Sequence, residues 1–161
     1  MFRQYFGSYE WKLGQQLLWQ PLNVLSDSAA SSGADLMSIL PESICIIDDD
    51  ASVRNSTKQL LASDGLEAQT FQDGEDFLAY AGSHTVRLAV LDVSMPKTSG
   101  LEVQARLQPL SPNTKVIVVT GQEIPGIRAA SLEGGAFAFL LKPFKDEPFL
   151  ALVRQALGSA A

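Results

Sequence analysis

The chain has 161 residues, enough for one ordinary domain and an extension, and 46% of them are hydrophobic, enough for a buried core. Its formal net charge is -6 with a pI near 4.7, and its lysines and arginines form no cluster, which argues against nucleic-acid binding. The single cysteine, Cys45, excludes an internal disulfide and a cysteine-cluster metal site. No apolar run reaches the roughly 18 residues of a membrane span, so we expect a cytoplasmic protein.

The chain divides near residue 40. Residues 26–38 are small and polar, as in a linker, and they follow a segment rich in aromatic residues and leucines. We expect residues 1–40 to form a weakly ordered extension and residues 41–161 to form one domain. Two explanations of the extension stay open: translation starts at Met37, or the aromatic segment docks on a partner or on the domain itself.

Five short apolar runs in the second part of the chain predict β-strands. Four of them are continuous rather than alternating, which is typical of strands covered on both faces in a parallel sheet. The second run is more polar and predicts an edge strand. The runs cover residues 44–47, 67–71, 87–91, 115–119 and 137–141.

Helical patterns separate the five apolar runs. The first pattern stops at Gly65, and Ser99 begins a candidate capping box for the third. Asp146 is the candidate cap of the last helix. Residues 73–82 and 126–134 predict two weaker helices. The alternation of strands and helices predicts an open α/β sheet.

Unusual polar residues follow four of the five runs. The carboxyl ends of parallel strands meet at one edge of an open α/β sheet, where ligands bind. Converging carboxylates raise one another's pKa unless a cation lies among them, and Mg²⁺ takes oxygen ligands and shares them with phosphate. A lysine and a hydroxyl on the same edge suit a phosphoryl group, which an aspartate can accept as a nucleophile. The residues are Asp48, Asp49, Asp50, Asp92, Thr120 and Lys142.

Four motifs, IIDDD, LDVSMP followed by Gly100, VVTG and LKPF, resemble in order and spacing those of the receiver domain of two-component response regulators, over about residues 43–158. DVSMPKTSGLE together with TG…GGAFAFLLKPF resembles the FixJ-type branch, whose members usually carry a helix-turn-helix output domain. The resemblance implies a flavodoxin-like, doubly wound, five-stranded parallel sheet in the order 2-1-3-4-5, often with a cis bond between Lys142 and Pro143. The sequence ends at Ala161, so we expect no C-terminal output domain.

The resemblance also implies a metal site and a phosphoacceptor. Asp92 matches the aspartate that accepts the phosphoryl group, and Asp48 and Asp49 match the acidic pair that binds Mg²⁺ beside it. Ser94 would lend its backbone carbonyl to the metal. Asp50 would instead cap the first helix, since its side chain can accept hydrogen bonds from the helix N-terminus.

The remaining roles concern the bound phosphoryl group and its consequences. Thr120 and Lys142 match the pair that holds the phosphoryl group, and Phe139 stands where receivers keep an aromatic switch residue, often tyrosine. The implied partners are a sensor histidine kinase, an unknown downstream protein and a second copy in a phosphorylation-dependent homodimer. We expect no enzymatic turnover beyond phosphotransfer and autodephosphorylation.

A phosphatase is the main alternative. The run IIDDDAS also fits the D-x-D-x-[T/S] motif of haloacid-dehalogenase-type phosphatases, with Asp48 as nucleophile and Asp50 as general acid. That alternative needs a further acidic pair at a strand end, but only Asp146 and Glu147 follow the lysine, and it leaves Asp92 unexplained. A receiver-like module without phosphorylation is disfavoured because all the phosphorylation residues are present. A dinucleotide-binding domain is disfavoured because no G-x-G-x-x-G follows the first run.

Overall fold

The computed structural model describes residues 43–158, which form five parallel strands alternating with five helices. The strands are β1 (Ile44–Ile47), β2 (Ala68–Phe71), β3 (Leu88–Asp92), β4 (Lys115–Thr120) and β5 (Ala138–Leu141). The helices are α1 (Ala51–Ser63), α2 (Gly74–Ala81), α3 (Gly100–Leu110), α4 (Ile127–Glu133) and α5 (Asp146–Leu157). The strands lie in the order β2-β1-β3-β4-β5 and every neighbouring pair is parallel. The predicted flavodoxin-like architecture and strand order are therefore confirmed.

Some predictions fall on parts of the chain that the structure does not describe. The extension at residues 1–40 and the alternative start at Met37 lie outside residues 43–158. Within those residues, none of the helices combines the length and the apolar composition needed to cross a membrane. The cis bond between Lys142 and Pro143 is present.

Hydrophobic layers cover both faces of the sheet. On one face α1 and α5 pack against the strands, with Leu61 and Phe149 fully buried. On the other face α2 and α3 do the same, with Phe77 and Val103 fully buried. Full burial of a side chain of this size contributes about 1.5–3 kcal/mol, so these two layers fix the position of the strand ends.

Strand ends differ slightly from the prediction, and two of the differences bear on function. Asp92 and Thr120 were predicted to follow β3 and β4, but each is the last residue of its strand. Both are therefore held by the sheet and not by a loop. β2 is an edge strand, as predicted, and Gln69 and Thr70 in its middle are exposed.

Two of the predicted helix caps are present. Asp50 caps α1, because its carboxylate accepts a hydrogen bond from the Ser52 N–H at 2.8 Å. Ser99 caps α3, because its hydroxyl accepts one from the Glu102 N–H at 3.3 Å. The carboxylate of Asp50 is thus engaged by the N-terminus of α1.

The predicted cap of the last helix is wrong. Lys145 occupies the cap position of α5, and its carbonyl accepts the hydrogen bond from the Phe149 N–H at 3.3 Å. Asp146 is the first helical residue. Its carboxylate therefore acts on the positive end of the helix dipole in the first turn and does not cap a backbone N–H.

Candidate functional site

Sheet register brings the predicted site residues together at the carboxyl edge. β1 and β3 pair in register up to Ile47 and Leu91, so the residues that follow, Asp48 and Asp92, lie side by side. Lys142 follows β5, which lies two strands from β3 in the sheet. Its side chain reaches back to both aspartates. The edge therefore collects two carboxylates and an ammonium group from three different strands.

The carboxylates of Asp48, Asp49 and Asp92 form the candidate metal site. One oxygen of each lies within 4.8 Å of the others. Asp48 and Asp92 are each 3% exposed, whereas Asp49 is exposed to solvent. This donor set fits Mg²⁺, a hard cation that takes carboxylate oxygens and keeps several waters, for which the exposed side at Asp49 leaves access.

Lys142 links the two buried carboxylates. Its Nζ donates to Asp48 Oδ2 at 2.5 Å and to Asp92 Oδ1 at 2.8 Å. Burial opposes the charged form of the lysine, but the hydrogen bonds to the two aspartates outweigh burial and raise the pKa of Lys142. The lysine therefore stays protonated beside Asp92.

Asp92 is in the opposite position. Burial raises the pKa of Asp92 above its ordinary value, although the hydrogen bonds from Lys142 and from the Ser94 N–H work against this shift. The nearby charge of Asp48 raises the pKa further. Ionisation of Asp92 is thus less favoured in the folded protein than in the unfolded chain even with Lys142 in contact, and a divalent cation bound among the carboxylates would stabilise the ionised form.

Backbone N–H groups orient both buried carboxylates. Asp92 Oδ2 accepts from the Ser94 N–H at 2.9 Å, and Asp48 Oδ1 accepts from the Asp50 N–H at 2.8 Å. The Arg54 guanidinium donates to the Asp48 carbonyl at 2.5 Å and so fixes the backbone of that residue. Sequence reasoning missed Arg54, whose only signal is its position in the first turn of the helix that follows the aspartates.

Gly100 allows α3 to begin directly against the end of β3. A Cβ at this position would lie 2.2 Å from the Asp92 carbonyl oxygen and 2.8 Å from the Val93 Cα. The Gly100 N–H donates to the Val93 carbonyl at 3.1 Å. The glycine after LDVSMP therefore holds the backbone of the candidate phosphoacceptor in place, and a larger residue would displace it.

Thr120 lies next to this cluster but its hydroxyl is engaged elsewhere. The Thr120 side chain is fully buried, and the Lys142 N–H donates to its carbonyl at 2.8 Å. The hydroxyl accepts from the Gln122 N–H and donates to the Gln122 carbonyl, each at 3.2 Å. The expected contact with a phosphoryl group would require the hydroxyl to give up the bond that it donates to the Gln122 carbonyl.

Phe139 is the second residue of β5 and so precedes the carboxyl end of that strand. It is 8% exposed and packs in the hydrophobic layer that α2 and α3 form on the sheet. The Arg128 guanidinium lies 5.7 Å from its ring centroid, and the ring lines a cavity of about 340 Å³ together with residues 123–129. A switch role for Phe139 would therefore act through packing against this segment.

Comparison with known proteins identifies the family. The family model described as response regulator receiver domain matches residues 44–154. The chain belongs to this family. Response regulator MprA of Mycolicibacterium vanbaalenii is 36% identical over 118 residues, which cover 73% of this chain and 51% of the relative. The chain thus spans about half the length of this relative. The haloacid-dehalogenase alternative is not supported.

Solved receiver structures have the same fold. FixJ-N is 31% identical, with a TM-score of 0.67, and the match covers 74% of this chain and 96% of that one. DrrB, described as an OmpR/PhoB homologue of Thermotoga maritima, is also 31% identical, with a TM-score of 0.65, and the match covers 73% of this chain and 52% of that one. The fold of this chain is therefore that of receivers from both kinds of regulator.

Proposed function

We propose that Asp92 accepts a phosphoryl group from a sensor histidine kinase in a reaction that needs Mg²⁺. The observation that carries the proposal is the position of the Lys142 Nζ, 2.5 Å from Asp48 and 2.8 Å from Asp92, with the oxygens of Asp49 close to both carboxylates. Membership of the receiver family supports the same function. The chain would then act in the cytoplasm as a signalling protein, with no turnover beyond phosphotransfer and autodephosphorylation.

In the proposed reaction an oxygen of Asp92 attacks the phosphorus of the donor. With acetyl phosphate, the bond from phosphorus to the acetate oxygen breaks, acetate leaves, and an acyl phosphate remains on Asp92. The Ser94 N–H orients the carboxylate for this attack. Lys142, already protonated and in contact with Asp92, would bind a phosphoryl oxygen as the negative charge arrives.

Asp48, Asp49, Asp92 and the backbone carbonyl of Ser94 would hold Mg²⁺. The bound ion would neutralise charge on the phosphoryl group during transfer. The Asp50 N–H and Lys142 orient the carboxylate of Asp48, whereas the carboxylate of Asp49 faces solvent and so can turn toward the ion.

Signal output would follow from the groups around Thr120. For the Thr120 hydroxyl to donate to a phosphoryl oxygen, it must release the hydrogen bond that it donates to the Gln122 carbonyl. The segment between β4 and α4 would then be free to rearrange over Phe139, which lines the cavity beneath it. The changed surface would control a downstream protein or a second copy of the chain. Phe139 has no hydroxyl, so its part in this change is packing alone.

The finer classification rests on sequence motifs. The run from DVSMPKTSGLE to GGAFAFLLKPF supports the FixJ-type branch. FixJ-N and DrrB are each 31% identical in sequence to this chain, so sequence identity does not separate the two kinds of regulator. We also propose that the receiver occupies residues 41–161 as a self-contained folding unit.

Intact-mass measurement after incubation with acetyl phosphate tests the proposed function. We expect one added phosphoryl group in the wild type with Mg²⁺ and none with EDTA. Asp92→Asn should add none, because an amide cannot act as the nucleophile. Asp76→Asn, the same change at an exposed position of α2, should behave as the wild type. Equal labelling of Asp92→Asn and Asp76→Asn would refute the assignment of Asp92.

A further inference from the structure

A groove runs beside the candidate site, between α1 and the connection from β5 to α5. Its volume is about 760 Å³, within the range of roughly 300–1,000 Å³ that is common for binding pockets. Val53, Leu60 and Phe144 line it with partly buried apolar side chains, and serine and threonine hydroxyls of α1 complete the wall. The groove thus offers mainly apolar surface to an occupant.

The charged side chains of the groove indicate which kind of occupant it favours. Lys142 and Asp146 are the two charged residues that line the groove. The ammonium of Lys142 is already engaged by Asp48 and Asp92. The carboxylate of Asp146 is exposed and has no ion pair among residues 43–158. The groove therefore suits an apolar segment that carries positive charge.

We propose that residues 1–25 of the same chain dock in this groove. The segment holds both tryptophans of the protein and several further aromatic residues and leucines. Its charged side chains are Arg3, Glu10 and Lys12, so its net charge is positive in a chain whose overall charge is -6. Its apolar residues match Leu60 and Phe144, and its basic residues match Asp146.

The tether is long enough for this docking. The described chain begins at Ser43, next to the first residue of β1, and α1 follows the same strand. Residues 26–42 can span up to roughly 55 Å when fully extended. The groove runs along α1, whose 13 residues make a helix about 20 Å long. Residues 1–25 can therefore reach any part of the groove within one chain.

Docking would place the segment beside the candidate phosphorylation site. Lys142 lines the groove and also contacts Asp92, so the docked segment and a phosphoryl group would share a neighbour. That consequence rests on the proposed function, whereas the docking itself does not. A test without any phosphoryl donor therefore separates failure of the docking from failure of the proposed function.

Tryptophan fluorescence of the full chain tests the proposal, because Trp11 and Trp19 are the only tryptophans and both lie in the proposed docking segment. We expect the emission maximum to lie at shorter wavelength than in the urea-unfolded protein, with protection from acrylamide quenching. The double variant Ser56→Lys/Gln59→Lys adds bulk and positive charge at two exposed positions of the groove wall. It should move the emission to longer wavelength and increase quenching.

A matched control uses the same helix and the same charge change. Asn55→Lys/Ala62→Lys adds two lysines at exposed positions of α1 that do not line the groove, and it should leave the emission unchanged. Wild-type emission typical of exposed tryptophan would overturn the proposal, as would equal behaviour of the two double variants. Emission that changes on dilution would assign the contact to a second copy and would also overturn it. So would a native protein whose intact mass shows a chain starting at Met37.

Discussion

Two charge clusters in this molecule carry the same formal charges but shift the pKa of an aspartate in opposite directions. Each consists of one basic side chain between two carboxylates contributed by distant parts of the chain. They are the edge cluster of Lys142, Asp48 and Asp92 and the helix-end cluster of Arg154, Asp64 and Glu147. In the edge cluster the side chains of lysine and aspartates are 19%, 4% and 5% exposed. In the helix-end cluster the exposed fractions are 33%, 22% and 77%.

Burial explains the difference between them. In the helix-end cluster the hydrogen bond from Arg154 lowers the pKa of Asp64, so folding favours the ionised carboxylate. In the edge cluster burial raises the pKa of Asp92, so folding disfavours it even though Lys142 is in contact. Pairing of a carboxylate with a basic side chain thus favours ionised Asp64 near the surface. At the buried carboxyl edge it does not offset the cost of burying ionised Asp92, whose carboxylate remains available for a reaction.

The largest effect should come from Lys142→Met. The change leaves Asp48 and Asp92 buried and adjacent without a cation, so we expect the free energy of unfolding at pH 7 without Mg²⁺ to fall by about 3 kcal/mol. The loss should shrink as the pH approaches about 4, where the carboxylates become protonated. Urea unfolding at several pH values measures it. Lys145→Met is the control, since Lys145 is exposed and makes no side-chain cap. Equal losses of stability in both variants would contradict a specific role of Lys142 in stabilising the two buried aspartates.

A second large effect concerns Mg²⁺ affinity. Even residues that only support metal ligands cost about 10–100-fold in affinity when changed, so Asp49→Asn should weaken Mg²⁺ binding at least about ten-fold. Asp50→Asn should change it little, because Asp50 caps α1 and an asparagine can keep that cap. Isothermal titration with Mg²⁺ distinguishes the two variants. Similar affinities would show that Asp49 is not a ligand.

Arg154→Met should cause a smaller loss. Pairing holds the pKa of Asp64 below its ordinary value, so its stabilisation is fully present above about pH 4 and is lost as the pH falls through the lower pKa of the folded state. The difference in free energy of unfolding between wild type and variant should therefore be present at pH 7 and shrink in acid. Added salt should reduce it, since the pair is partly exposed. A stability difference that grows below pH 4 would show that pairing with Arg154 does not lower the pKa of Asp64.

The smallest expected effect concerns the chemical reactivity of the Cys45 thiol. This thiol is fully buried in β1, and burial alone raises its pKa to about 12. At pH 8 an ordinary cysteine, with a pKa of about 8.5, reacts readily as its thiolate. We expect a thiol reagent such as 5,5′-dithiobis(2-nitrobenzoic acid) to label Cys45 only after denaturant is added. Rapid labelling of the folded protein would show that β1 is accessible.

The sequence predicted those features that depend on strand periodicity and on position along the chain. The continuous apolar runs predicted β1, β3, β4 and β5, and the parallel order then placed Asp48, Asp92 and Lys142 on one edge. The caps Asp50 and Ser99 were predictable because they are decided by local hydrogen bonds. Asp146 was misassigned because cap and first-turn positions both favour an acidic residue.

Other features depend on contacts that no local pattern reports. Arg54 reaches the Asp48 carbonyl across the turn that joins β1 to α1, and nothing in its own neighbourhood specifies that contact. The Thr120 hydroxyl bonds within its own turn, so its place at the strand end did not reveal its partner. Phe139 packs in the hydrophobic layer on one face of the sheet, a contact that depends on the whole fold.

We propose that the edge cluster favours phosphoryl chemistry at the expense of stability. The pKa of Asp92 is higher in the folded state than its ordinary value, so its favourable contribution exists only in acid and is lost as the pH rises through the folded pKa. The most direct measurement is the free energy of unfolding at pH 7 without Mg²⁺ for Asp92→Asn and Asp64→Asn. We predict that Asp92→Asn is at least as stable as the wild type, whereas Asp64→Asn is less stable. A loss in Asp92→Asn as large as that in Asp64→Asn would contradict the account.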